Sequence, residues 1–353
     1  MLYTKIIDNL INKGLEEQIF PGAAISTGDK DGEIFRAAYG FRQVYPQKYI
    51  MEADTLFDIA SLTKIITSLT ALKLIQDGKL SLTDTLDKFF DVPKDKTKIT
   101  IAHIMTHTGG IPAHEHVYNQ IKNPSDAYDF ILGMKVLGAP GKAVVYSCLG
   151  YILLGRIIEV LGGDTLDNLA KKWIFDPLGL KSASYNPDKR YTFAATEFDA
   201  KTKEWLCGTV HDENARFLNG ISGNAGIFAN IDDMAVIAVM LANKGRVGDK
   251  VIIQRELFEE AVKNLTPQLP EGRSLGFEIK SDVLISCGSV FASGSYGHTG
   301  FTGTSLWVDI ETSQYVVLLT NRVHPTRDNA AHISFRREVH DLCAGEYRKP
   351  GRH

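Results

Sequence analysis

What most limits the fold of this chain is the order of its periodicities: strand-like runs lie near the two ends, and helical spacing fills the middle. Residues 22–27 and 33–39 are strand-like and flank Gly28-Asp29-Lys30-Asp31-Gly32, a loop with the glycine and aspartate content that closes a β-hairpin. Residues 302–309 and 314–321 form a second such pair across Ile310-Glu311-Thr312-Ser313. Between the pairs, residues 63–77 read as a helix stopped by Asp77-Gly78, and further helical blocks cover 99–107, 149–161 and 231–243. Ile6, Ile7, Leu10, Ile11 and Leu15 mark an N-terminal amphipathic helix. Residues 329–345 mark a closing one, with Ile333, Phe335, Val339 and Leu342 expected inward. Strands at both ends pack most simply as one antiparallel sheet drawn from both termini, covered by the terminal helices, with a helical insertion between. The expectation is an α+β fold. Residues 1–60 and 270–353 would make an α/β subdomain, residues 61–269 a mainly helical one, and the active site would lie between them.

The chemistry that such a chain can support is narrowed by its charge. Its 39 Lys+Arg against 42 Asp+Glu leave a net charge of −3, and 44% of the residues are hydrophobic, which excludes disorder as the main state. Without a long basic run there is no general electrostatic attraction to nucleic acid or an anionic membrane, so a small-molecule or peptide-like substrate is the expected partner. Nothing in the sequence reports an oligomeric state. Cys148, Cys207, Cys287 and Cys343 are far apart and form no C-x-x-C, so they read as buried thiols of a reducing compartment. Asp8, Glu16 and Glu17 interrupt the aliphatics of the N-terminus, unlike the apolar core of a signal peptide, and no run reaches the length of a membrane span. The expectation is a soluble cytoplasmic protein.

Three stretches carry reactive groups. In Ser61-Leu62-Thr63-Lys64, a separation of three on a helix puts hydroxyl and amine on one face. The helix N-terminus would favour an alkoxide on Ser61 and the neutral form of Lys64. Spacing alone fits an N-cap serine with a solvated lysine as well. Tyr146-Ser147-Cys148 directly precedes the apolar block 149–161; facing Lys64, its phenol could shuttle the serine proton, and otherwise it is a packing residue. Gly297-His298-Thr299-Gly300-Phe301-Thr302-Gly303 opens a strand, where glycines let a substrate lie against the edge and a strand N–H can donate to an oxyanion, or it is simply a turn.

Taken in order, these segments resemble the serine β-lactamase and penicillin-binding protein superfamily, and most closely its class C-like branch, which includes DD-peptidases, esterases and muropeptide amidases. Residues 99–112, with His107-Thr108-Gly109-Gly110, resemble the branch's helix and H-T-x-G turn, and residues 173–180 its W-x-x-x-P-L-G-L segment. Residues 220–233 match a G-x-A-G-x-F block, so the likeness spans about residues 22–321. The resemblance implies a β-lactamase/transpeptidase-like fold and a hydrolase that cleaves an ester or amide bond through an acyl-enzyme, without cofactor. It implies Ser61 as nucleophile, Lys64 as its proton partner, Tyr146 as general base and acid, and the N–H groups of Ser61 and Phe301 as the oxyanion hole. His298, Thr299 and Gly300 stand where the family has K-T-G.

Two departures bear on substrate. Cys148 replaces the asparagine of Y-x-N, and a thiol cannot match an amide's paired donor and acceptor. His298 replaces the lysine, so a permanent cation is missing; an unperturbed histidine is charged only below about pH 6.5. Weak β-lactamase activity at best is the expectation. The block around His211-Asp212 resembles one found in cytoplasmic amidases of cell-wall recycling, which makes both candidates for lining the cleft and makes a muropeptide amidase an alternative. A penicillin-binding sensor with slow turnover is the alternative from another class. His103, His107, His114 and His116 are spaced so that a metal is formally possible, but no H-E-x-x-H occurs and no metal is assigned.

Overall fold

The computed structural model describes residues 2–283 and 285–348. Its main sheet comprises β1 (Gly22–Asp29), β2 (Gly32–Gln43), β3 (Tyr49–Ile50), β4 (Gly272–Arg273), β5 (Glu278–Ile279), β6 (Tyr296–Thr299), β7 (Ser305–Val308) and β8 (Tyr315–Thr320). The order is β4-β5-β6-β7-β8-β1-β2-β3, and every neighbouring pair is antiparallel. The two ends of the chain therefore meet in the middle of one sheet, with Ala23 opposite Thr320 and Gly28 opposite Tyr315.

β1 and β8 are apolar on both sides because both faces of the sheet are covered. Ala23, Ile25, Val316 and Leu318 join Ile7 and Ile11 of helix α1 (Leu2–Glu16) in one core, while Ala24, Val317 and Leu319 face the larger core on the other side. This larger core is built on α2 (Thr63–Gln76), α3 (Cys148–Gly162) and α4 (Ile231–Ala242). Helix α5 (Ala331–Tyr347) completes the first core with Phe335, Val339 and Cys343.

Both hairpins and the long helices fall where the spacing predicts them, but three features differ. Helix α4 lies within the stretch read as the helical subdomain, yet it packs directly on β1 and β8, since it is apolar around most of its circumference and has sheet and helices to cover it. The block 99–107 is helical only over Ile101–Met105, because the chain turns at Thr106 and takes a positive φ of 57° at His107. On α5, Phe335 and Val339 are buried as expected and Leu342 partly so, but Ile333 is 46% exposed and lines a cleft. An apolar residue at a cleft wall and one in a core have the same helical spacing. No helix among the described residues is long and apolar enough to cross a membrane.

Two helix N-termini set the site. A short three-stranded sheet of Phe57–Asp58, Ile227–Ala229 and Ser184–Tyr185 leads the chain into α2. Ahead of α3, the Ser147 hydroxyl accepts the Gly150 N–H and so caps the helix, which ends at Gly163 in the left-handed conformation.

Candidate active site

Ser61 lies in the single turn Ala60–Leu62 that opens α2, preceded by Ala60 at a φ of 48°. A non-glycine residue held in that region stores strain that its surroundings must impose. Asp58 imposes it: one carboxylate oxygen accepts the Ala60 N–H at 2.9 Å and the other accepts the His211 N–H at 2.7 Å. Burial raises the Asp58 pKa, and these N–H donors act against that rise.

One turn on, Lys64 is fully buried, and its Nζ donates to Ser61 Oγ at 2.9 Å and to the Asn224 carbonyl at 3.0 Å. Cys148 Sγ is 3.6 Å from the same nitrogen, and the Tyr146 ring centroid is 4.9 Å away. Burial disfavours the ammonium, but the Cys148 and Tyr146 side chains, as the anions they can become, outweigh it and raise the pKa. The Lys64 pKa therefore lies above its ordinary value, the opposite direction from the lowering that the helix N-terminus alone would give. Burial raises the Tyr146 pKa, while the Lys64 charge and hydrogen bonding to Lys64 and Ser61 favour its phenolate.

Tyr146 is held by His107. Burial drives the His107 pKa far down, so the ring is neutral, and its Nδ1 accepts the Ser147 N–H at 3.0 Å with the two rings 4.5 Å apart. His103, by contrast, completes a capping box with Thr100. Among the described residues no three or more His, Cys, Asp or Glu side chains are grouped so as to hold a metal ion.

The turn after β6 brings the third stretch in. Thr302 and Thr304 donate their hydroxyls to the carbonyls of Asp58 at 2.7 Å and Ile59 at 2.9 Å, pinning residues 300–304 against the approach to Ser61. Gly300 fits there because a Cβ would stand 2.7 Å from the Ile59 carbonyl and collide with Thr304. The Phe301 N–H has no partner among the described residues. His298 is 2% exposed; its Nδ1 bonds the Thr299 carbonyl at 2.7 Å, and burial pushes its pKa down to about 4. It is therefore uncharged well below the pH 6.5 expected for a free imidazole.

A cavity of about 660 Å³ joins these groups, lined by Ser61, Tyr146, Cys148, His298, Thr299, Gly300 and Phe301. His211 and Asp212 line it too. The His211 ring stacks on Phe301 at 5.6 Å and its Nε2 is 3.0 Å from Glu197, while Asp212 caps the helix Glu213–Phe217. Sequence reasoning missed Asp58, Arg273, Glu278 and Arg336. Asp58 stood three residues before Ser61 and offered a signal by position; the others belong to no motif.

A sequence profile of the family described as Beta-lactamase matches residues 7–341, so the chain belongs to that family and is a hydrolase of the β-lactamase fold. Among relatives, a protein named putative D-alanyl-D-alanine carboxypeptidase from Escherichia coli (strain K12) is 32% identical over 339 residues, 84% of this chain and 77% of the relative. One named N-acetylmuramyl-L-alanine amidase from Bacillus subtilis (strain 168) is 30% identical over 362 residues, 90% of this chain and 80% of the relative. Among solved structures, EstCE1, a hydrolase with promiscuous acyltransferase activity, superposes with a TM-score of 0.80 at 21% identity, covering 97% of this chain and 98% of that one. The octameric penicillin-binding protein homologue from Pyrococcus abyssi gives a TM-score of 0.74 at 23% identity, covering 94% and 76%.

Proposed function

We propose that this hydrolase cleaves an ester or amide through an acyl-enzyme on Ser61. The observation that carries the reading is the gathering of three groups: Lys64 Nζ is 2.9 Å from Ser61 Oγ and 4.9 Å from the Tyr146 ring centroid, and Ser61 and Tyr146 line one cavity. A hydroxyl becomes nucleophilic when a neighbouring base takes its proton. Lys64, charged at rest, is the partner that stabilises anions; Tyr146, as phenolate, is the base. Ser61 adds to the carbonyl carbon as its proton moves to Tyr146, and the N–H groups of Ser61 and Phe301 hold the oxyanion. Tyr146 returns the proton to the departing alcohol or amine, and water then repeats the sequence on the acyl-enzyme. Because burial raises the Tyr146 pKa, the phenolate fraction and with it the rate should climb as pH rises above 7.

Intact-mass spectrometry with a slow acyl donor tests the nucleophile: an adduct on the native chain and none on Ser61→Ala is expected, and an adduct on both removes Ser61 from the role. Tyr146→Phe should cost about 10²–10⁴ in rate. A muropeptide amidase is the narrower reading, favoured by His211 and Asp212 on the cavity wall and by the 30% identical amidase relative. A fluorescent penicillin that stays bound for hours, with no ester turnover, would instead indicate a sensor.

A further inference from the structure

The mechanism above leaves one acid–base group on the cavity wall unused. His211 is 4% exposed and lines the cavity that holds Ser61, and among the described residues it is the one histidine paired with a carboxylate. Its Nε2 lies 3.0 Å from Glu197 Oε2 and 3.5 Å from Arg327 Nη2. Burial would raise the Glu197 pKa, but hydrogen bonds from the His211 ring and from Arg327 outweigh it and hold the pKa down to about 2. Glu197 is therefore a carboxylate, which only accepts, so the nearer contact puts a proton on Nε2.

In a neutral ring the lone pair then sits on Nδ1. No described residue bonds that nitrogen and it is not enclosed, so it opens to the cavity that the ring lines. The ring is held from three sides. Its backbone N–H donates to Asp58, three residues before Ser61; Glu197 holds Nε2; and the ring stacks on Phe301 at 5.6 Å. Phe301 supplies one N–H of the oxyanion hole in the hydrolase reading, which sets the imidazole beside the carbonyl that Ser61 engages. His298 and His332, on the same cavity, differ: neither is on a carboxylate, and each has one ring nitrogen enclosed without a partner.

A carboxylate on one ring nitrogen and an open lone pair on the other is the arrangement of a general base, because the acid fixes the tautomer and stabilises the imidazolium that forms. Burial raises the Tyr146 pKa, so its basic form is the minor one near pH 7, whereas a neutral imidazole is a base as it stands.

We propose that His211, oriented by Glu197, is a second base of this site and activates the water that clears the acyl-enzyme. The inference rests on the hydrolase reading and gives the second half-reaction a base of its own, with Tyr146 serving the first. The water oxygen bonds to the acyl carbon as one water proton passes to Nδ1. Collapse breaks the bond from that carbon to Ser61 Oγ, and the imidazolium returns the proton to Oγ. The ring ends neutral, Ser61 ends as a hydroxyl, and the product leaves as an acid. Glu197 touches no reacting atom and is a positioning residue.

Acylation with p-nitrophenyl pivalate, whose bulky acyl group slows hydrolysis, tests this. Release of p-nitrophenol reads acylation, and intact mass after gel filtration reads decay of the adduct, a rate per acylated molecule that loss of folded protein does not change. In His211→Gln the decay should slow by about 10²-fold or more, with acylation changed far less. Hydroxylamine, a nucleophile that needs no base, should strip the adduct from native and variant chains at rates within about threefold of each other. Glu197→Gln should slow decay by about tenfold or more, since its amide does not fix the tautomer. Decay in His211→Gln within about threefold of native, or p-nitrophenol release with no adduct accumulating, overturns the proposal. Hydroxylamine release slowed as much as hydrolysis does so too, by showing that the substitution only closes the cleft. Unchanged decay in Glu197→Gln removes that residue from its positioning role. Failure of the hydrolase reading would appear separately, as neither adduct nor p-nitrophenol from the native chain with the pivalate or the acetate ester.

Discussion

Replacing His298 by glutamine should change how the stability of this protein responds to acid. The ring is 2% exposed, and burial pushes its pKa from 6.5 down to about 4. The unfolded chain takes up a proton on this residue below about pH 6.5, the folded chain only near pH 4. In between, the unfolded state binds more protons, so stability present above pH 6.5 is lost as pH falls toward 4. At about 1.36 kcal/mol per pH unit the full loss is about 3.4 kcal/mol, with about 1.4 gone by pH 5.5 and about 2.5 by pH 4.5. Urea unfolding of the native chain and His298→Gln, run in parallel at pH 7.5, 5.5 and 4.5, gives the difference between them at each pH. Taking that difference cancels the other buried histidines, His107, His332 and His340. The advantage of the native chain should shrink by those amounts. A difference constant to within about 0.5 kcal/mol would refute the burial of a neutral His298.

Two further substitutions probe how the site is held. Asp58→Ala removes two charge-assisted hydrogen bonds, so a loss of about 3 kcal/mol in urea melts is expected, with ester turnover falling at least about tenfold as the Ser61 turn and the His211 loop separate. Undiminished turnover would detach Asp58 from the geometry of Ser61. Gly300→Ala forces a Cβ against the Ile59 carbonyl and Thr304 and should displace the Phe301 N–H, lowering kcat per folded molecule by about 10²-fold and the melting temperature as well; a rate per folded molecule within about threefold of native would argue against an oxyanion role for Phe301.

The sequence made Ser61, Lys64 and Tyr146 legible because each sits at a helix start within a short, ordered motif. It made the sheet legible because strand-like runs were confined to the ends. The upward pKa shift of Lys64 was not, since it depends on Cys148, Tyr146 and Asp212, which come from segments far along the chain. Arg273 and Arg336 were invisible for a related reason: a single arginine on a two-residue strand or on the polar side of a helix has no pattern, and only packing brings the two together. Ile333 was misplaced because periodicity tells which side of a helix is apolar but not whether that side meets a core or a cleft. Asp58 lay within reach of the argument, but its function is to bind backbone, and backbone partners leave no trace in residue spacing.

The pairing of β1 with β8 has a consequence for biosynthesis. The first hairpin leaves the ribosome well before the partner for its open edge, Tyr315–Thr320. Until then one row of amide groups stays unmatched and its apolar neighbours uncovered, the condition under which nascent strands pair wrongly or need a chaperone. Ala331–Tyr347 is made later still, so the face of the sheet that Phe335, Val339 and Cys343 cover stays open until that helix docks.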